Sequence, residues 1–197
     1  MTMILDPTVG VIQPTGVPLP VAQGGTGSAT IAAAAASLAP IQLSTPQITT
    51  SGTAINFTGI PAGVKRITIL ASGISHNGTD GFVARIGTNA GFVSSGYVGT
   101  LDVSNVPQLF TVGVGLFEAT GTAAANNYNS ICVWSLVDPA TNKWMAQSTT
   151  YSSNATQGFR VGMSAITLAG AADRVQITTV GGTAVFDLGT VNVSWEF

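Results

Sequence analysis

Residues 191–197 read Val191-Asn192-Val193-Ser194-Trp195-Glu196-Phe197 (VNVSWEF). Large apolar side chains alternate there with polar ones. Successive side chains of a strand point to opposite faces, so the period of two predicts a strand with one buried and one wet face. The same period recurs back to Gln47. Ile67, Ile69 and Ala71 alternate with Arg66 and Thr68. Phe82, Ala84 and Ile86 alternate with Val83 and Arg85. Phe110, Val112, Val114 and Leu116 read as one face of one strand, with Gly113 and Gly115 opposite. Phe159, Val161, Met163 and Ala165 align, as do Val175, Ile177 and Thr179. Ile131, Val133 and Val137 oppose Cys132, Trp134 and Leu136, so this strand is apolar on both faces and is expected to be central.

Turn clusters separate these runs: Pro61-Ala62-Gly63, His76 to Gly81, Asn126-Asn127, Asp138 to Asn142, Asn154 to Gly158, and Gly181-Gly182. Gly, Asn, Asp and Pro each favour turns for a distinct steric reason. Eight to ten short strands at this spacing predict an all-β fold, an antiparallel β-sandwich. Long connections between some strands favour a jelly roll or Greek key over a meander.

Ahead of the strands lies Pro18 to Pro40, PLPVAQGGTGSATIAAAAASLAP. Gly24, Gly25 and Gly27 suit a turn. Ser28 or Thr30 can cap a short helix, the alanines 32–36 favour it, and Pro40 stops it. Its apolar stripe is Ile31, Ala34, Ala35 and Leu38, at i, i+3, i+4 and i+7. A helix of about ten residues is marginal alone. It can dock on its own domain, but the small alanine faces favour a copy of itself, which makes these four residues the candidate oligomer contact. Residues 1–20 carry Pro7, Pro14, Pro18 and Pro20. Repeated proline blocks helix and central strand, so the segment reads as an extended arm, ordered against a neighbour or else a disordered terminus. The expected organisation is therefore an arm over 1–20, a turn, short helix and linker over 21–46, and a sandwich over 47–197.

Charged residues make up 7% of the 197, with a formal net charge of −2 and 45% hydrophobic residues. Disorder requires low hydrophobicity and high net charge, so this chain is expected to fold. Scarce charge favours faces buried in a stable oligomer, since charge is depleted at interface cores. The six basic residues are scattered, which argues against nucleic acid. No window approaches a membrane-spanning helix, and Met1 to Gln13 shows no secretory signal. The single Cys132 is expected to be a buried, reduced thiol. These readings fit assembly in a reducing cytoplasm.

Catalytic and metal chemistry find little support. One histidine and one distant cysteine cannot supply three or four N/S ligands for zinc. The eight acids are dispersed; Asp80, Asp102, Glu118 and Asp138 are the candidates for a hydrolytic carboxylate pair. Gly24 to Gly27 lacks the lysine of a phosphate loop. Cofactors and metals are therefore expected to be absent. Carbohydrate recognition needs only rings beside amides and hydroxyls. Tyr97, Tyr128, Tyr151 and Trp144 lie near polar turns, while Trp134 and Trp195 fit packing. His76 in a polar turn reads as a solvated residue.

Val21-Ala22-Gln23-Gly24-Gly25-Thr26-Gly27-Ser28-Ala29-Thr30, followed by the alanine run and Leu38, resembles the GGTG junction segment of tailed-bacteriophage tail fibres. Thr53 to Pro61, Val64 to Thr68 and Asp173 to Val180 resemble C-terminal domains of phage virion proteins. Ser37-Leu38-Ala39-Pro40 replaces the arginine and Asn-Leu-Gly ending common in that junction. The resemblance implies a non-enzymatic virion protein, a short homotrimeric fibre whose C-terminal domain attaches to the host. It also implies that the arm binds other virion proteins. Head fibre, decoration protein and baseplate adaptor are the alternatives, and a polysaccharide depolymerase is the enzymatic one. The turns carry almost no charge, which makes His76, Asn77, Asp80, Asn126, Asn127, Tyr128, Asn154 and Gln157 the candidate receptor contacts, suited to a neutral surface glycan.

Overall fold

A computed structural model describes residues 4–6, 10–12, 38–103, 106–117, 127–152 and 158–197. It divides into two compact units, Met1–Gln42 and Leu43–Phe197. In the first, β1 (Ile4–Asp6) and β2 (Gly10–Ile12) pair antiparallel, with Ile4 opposite Ile12 and Asp6 opposite Gly10. The arm expected to be extended thus satisfies part of its own backbone, because the two triplets flanking Pro7 contain no proline. The junction turn and Ile31, Ala34 and Ala35 lie outside the described residues; Leu38 is exposed.

β3 (Ile41–Leu43) spans the division. The second unit then continues with β4 (Gln47–Ile48), β5 (Ala54–Thr58), β6 (Arg66–His76), β7 (Phe82–Thr88), β8 (Gly91–Phe92), β9 (Val98–Val103) and β10 (Val106–Phe110). It ends with β11 (Val114–Phe117), β12 (Tyr128–Asp138), β13 (Lys143–Ser152), β14 (Phe159–Thr167), β15 (Arg174–Thr179) and β16 (Phe186–Glu196). The larger sheet runs β10-β9-β14-β13-β12-β6-β16, with β4 also on β16. The smaller runs β11-β7-β15-β5, with β8 on β7. Pairing is antiparallel throughout, and the chain passes repeatedly from one sheet to the other. The fold is an all-β antiparallel sandwich. It holds more strands than the spacing suggested, because β4 and β8, two residues each, are too short to show alternation, and because one expected strand is two, β10 and β11.

The inner faces follow the alternation. Ile67, Ile69 and Ala71 of β6 and Val191 and Val193 of β16 meet Ile55, Ala84, Ile86, Val175 and Ile177 of the smaller sheet. Burying such side chains is worth about 1.5–3 kcal/mol each. Phe197, expected to continue the buried face, is exposed, since β16 ends at Glu196.

Residues 110–116 do not form one strand. β10 belongs to the larger sheet and β11 to the smaller, with Thr111–Gly113 crossing between them. Gly113 permits the crossing: a Cβ there would stand 2.7 Å from the Ala84 carbonyl oxygen. Alternation alone could not reveal this, because both half-strands present the same parity to the core.

β12 is central, between β13 and β6. Its two apolar faces differ in fate. Cys132 and Trp134 are buried, whereas Ile131 and Val137 are exposed and Val133 is half-buried. The outer face of the larger sheet is therefore partly apolar. One register row across it reads Leu109, Thr100, Met163, Gln147, Val133, Thr68.

Candidate functional site

The topology brings several strand ends together at one end of the sandwich. β6 finishes at His76 and β7 starts at Phe82. Tyr128, the first residue of β12, pairs with Ser152 at the end of β13. Tyr151 pairs with Phe159 at the start of β14. Thr179, ending β15, pairs with Phe82, and Phe186, starting β16, pairs with His76. The stretches after β6, β13 and β15, and before β12, β14 and β16, thus share this end. Residues 44–49 climb β16 toward it: Ser44 donates to the Val193 carbonyl, Gln47 pairs with Val191, and Thr49 donates to the Gly189 carbonyl. Ser44 therefore lies farther from this end along β16 than Thr49 does.

The turn after β6 is tied down closely. His76 is not solvated: it is 2% exposed, and its ring lies 4.5 Å from that of Phe82. The Gly78 N–H donates to His76 Nδ1 at 3.1 Å, which leaves the proton on Nε2 to donate to the Asp80 carbonyl at 2.8 Å. Asn77 exchanges backbone and side-chain bonds with Val185: its N–H donates to the Val185 carbonyl at 3.0 Å, and its Oδ1 accepts the Val185 N–H at 2.9 Å. Asp80 accepts the N–H of Gly81 and that of Gly181.

Of the candidate contacts, His76, Asn77, Asp80, Asn127 and Tyr128 come to this end together. His76 and Tyr128 are corrected from surface to interior: Tyr128 is 2% exposed, its ring 5.4 Å from that of Phe82. Both cap the apolar core beneath the turns, which a local reading of polar neighbours misses. Asn126, Asn154 and Gln157 lie outside the described residues. The open surface left is a shallow depression of about 670 Å³ between Asn77, Thr79 and Asp80 on one side and Gly181, Thr183 and Ala184 on the other. Sequence reasoning named Gly181-Gly182 only as a turn. Its role as the second wall depends on the pairing of β15 with β7, which no local pattern carries.

The other aromatic candidates divide. Tyr97 and Trp144 are buried, whereas Tyr151 is 54% exposed on the outer face of the larger sheet. It borders a depression of about 430 Å³ lined also by Leu70, Asn129, Ile131 and Asn192. Asp80 and Asp138 do not converge. Asp80 lies near the start of β12, and Asp138 ends it, about 33 Å away at strand rise. Glu118 lies outside the described residues. Among those described, no group of three His, Cys, Asp or Glu is placed to hold a metal, and no helix is long and apolar enough to cross a membrane. Cys132 is a free, buried thiol, and burial pushes its pKa up.

No family model matches the chain, and no curated protein does. Solved structures with some likeness include the CBM40 of the Ruminococcus gnavus IT-sialidase bound to α2,3-sialyllactose. It is 11% identical over 77% of this chain and 89% of that one, with a TM-score of 0.31. The botulinum neurotoxin serotype C1 binding domain is 10% identical over 81% and 43%, with a TM-score of 0.19. The infectious bursal disease virus VP2 subviral particle is 11% identical over 81% and 42%, with a TM-score of 0.16. All three scores fall below 0.5, so they carry no argument about function.

Proposed function

We propose that this chain is a non-enzymatic structural protein of a bacteriophage virion, a short trimeric fibre whose β-sandwich attaches to a host receptor. The observation that carries this reading is the joining of the 77–81 and 180–185 turns into one open polar surface at an end of the sandwich. Cyclic symmetry repeats every chain in the same sense, so a homotrimer with its axis along the strands presents its three copies of this end on one side. In this reading the N-terminal segments bind the virion and this end meets the host. The GGTG junction supports the fibre assignment.

The outward surface suits a neutral glycan. Asn77, Thr79 and Thr183 offer amide and hydroxyl groups, and the one acid, Asp80, has its carboxylate engaged by backbone N–H groups.

The test places Thr79→Arg and Thr183→Arg together in assembled particles. Both residues are exposed, so the sandwich is expected to fold unchanged. Adsorption to host cells is expected to fall at least tenfold. Normal adsorption by folded, fully assembled particles would remove the contact from this end. Native mass measurement of the purified chain tests the trimer: a monomer at micromolar concentration rejects it.

A further inference from the structure

We propose that the outer face of the larger sheet is the contact between copies of this chain, with Met145 and Met163 at its centre. The proposal rests on the trimeric reading above and identifies the surface that makes the trimer. Val98 and Leu109 are 75% and 74% exposed, and Leu70, Ile131, Met145 and Met163 stand out from the same face. Single exposed apolar residues are ordinary, but a contiguous set marks an interaction surface. These are contiguous. Three depressions of about 430, 490 and 300 Å³ adjoin across the face, the first two sharing Ile131 and Thr149, the second and third sharing Met145 and Met163.

Charge is nearly absent. The rows through Val98, Leu109 and Ile131 hold Arg66 and Glu196, 3.7 Å apart at one corner, and Asp102 toward the other margin. The remaining polar members are hydroxyls and amides. Depletion of charge with enrichment of methionine and aromatics describes the core of a protein interface. The dimensions also fit. Six strands from β10 to β6 span about 24 Å, and six residues along them about 20 Å, hence about 500 Å² in projection before side-chain relief. That is of the order of the roughly 800 Å² each partner contributes to a standard interface. A small ligand would fill one depression; a second copy covers all three. The face also runs along the strands. Three copies around an axis in that direction can turn it inward and leave the polar turns free.

The experiment compares native masses of the parent chain and of Met145→Glu with Met163→Glu. Three carboxylate pairs driven together in an uncharged interface are expected to weaken assembly at least 100-fold, giving a monomer with a β-sheet circular dichroism spectrum. Val180→Glu, exposed at the polar end, is expected to leave the trimer intact. A trimeric parent with an equally trimeric Met145/Met163 variant overturns this surface and leaves the trimer standing; a monomeric parent overturns both. The second measurement holds if the variant does not fold. In the parent trimer, peroxide is expected to oxidise Met145 and Met163 at least tenfold more slowly than in the unfolded chain, and equal rates overturn the proposal.

Discussion

The hydroxyl of Tyr97 accepts the backbone N–H of Ile86 at 3.1 Å. It donates in turn toward the Val93 carbonyl at 2.9 Å, with the Ile86 carbonyl at 3.3 Å. A buried phenol so held joins the segment after β8 to β7, and its ring lies 6.1 Å from that of Trp134 across the core. Tyr97→Phe leaves the Ile86 N–H without this acceptor, and the expected cost is about 1–3 kcal/mol. Urea unfolding at neutral pH measures it.

Burial, offset by the Ile86 bond and the Arg85 charge, pushes the Tyr97 pKa up to about 12 from 10.0. The folded state therefore keeps a proton that the unfolded state loses between those values. Stability is fully present below pH 10 and falls as pH rises toward 12, at about 1.4 kcal/mol per pH unit for one proton. Tyr97→Phe is expected to flatten that fall by one proton. Parallel slopes for the parent and the variant across this window would show that Tyr97 is not the group responsible.

Asp80 joins the turns on either side of the depression at the polar end. Asp80→Ala removes the acceptor for both Gly81 and Gly181 and is expected to lower stability by about 1–3 kcal/mol. Amide exchange at Gly181 should quicken at least tenfold, while that of Ile69 in β6 follows only the global change. Unchanged exchange at Gly181 would show that the carboxylate does not hold the second turn.

Gly162 of β14 faces the smaller sheet so closely that a Cβ would stand 2.3 Å from the Gly115 carbonyl oxygen and 2.4 Å from Ser148 Oγ. Ser148 donates to that same carbonyl at 2.6 Å. Gly162→Ala must separate β14 from β11 or break this bond, and overpacking of this kind costs about 1–3 kcal/mol or more. The melting temperature measures it, and a variant as stable as the parent would show that the sheets yield there.

Trp134 fills the core, yet its buried indole N–H meets no acceptor among the described residues, and neither do those of Trp144 and Trp195. Trp134→Ala is expected to cost about 3–5 kcal/mol. Trp134→Phe loses less volume and relieves an unpaired donor, so its cost should be under half as large. Equal costs in chemical unfolding would show that the indole N–H finds a partner in solution.

The sequence by itself determined the all-β class and the inward parity of the strands. Val191, Val193, Ile67, Ile69 and Ile177 declare their faces because a strand's side-chain period is local and cannot shift by one residue without exposing the whole set. It also located the turns, whose glycines, asparagines and prolines act on their own backbone. Only the tertiary structure decided which strands pair, and that moved His76 and Tyr128 from the surface to beneath it. Pairing likewise split 110–116 between two sheets, since parity says nothing about which sheet a strand joins. It brought the 77–81 turn beside 180–185, although about a hundred residues separate them. Long-range pairing is set by the sum of many weak cross-strand contacts and a shared core, and no single stretch of the chain carries that sum.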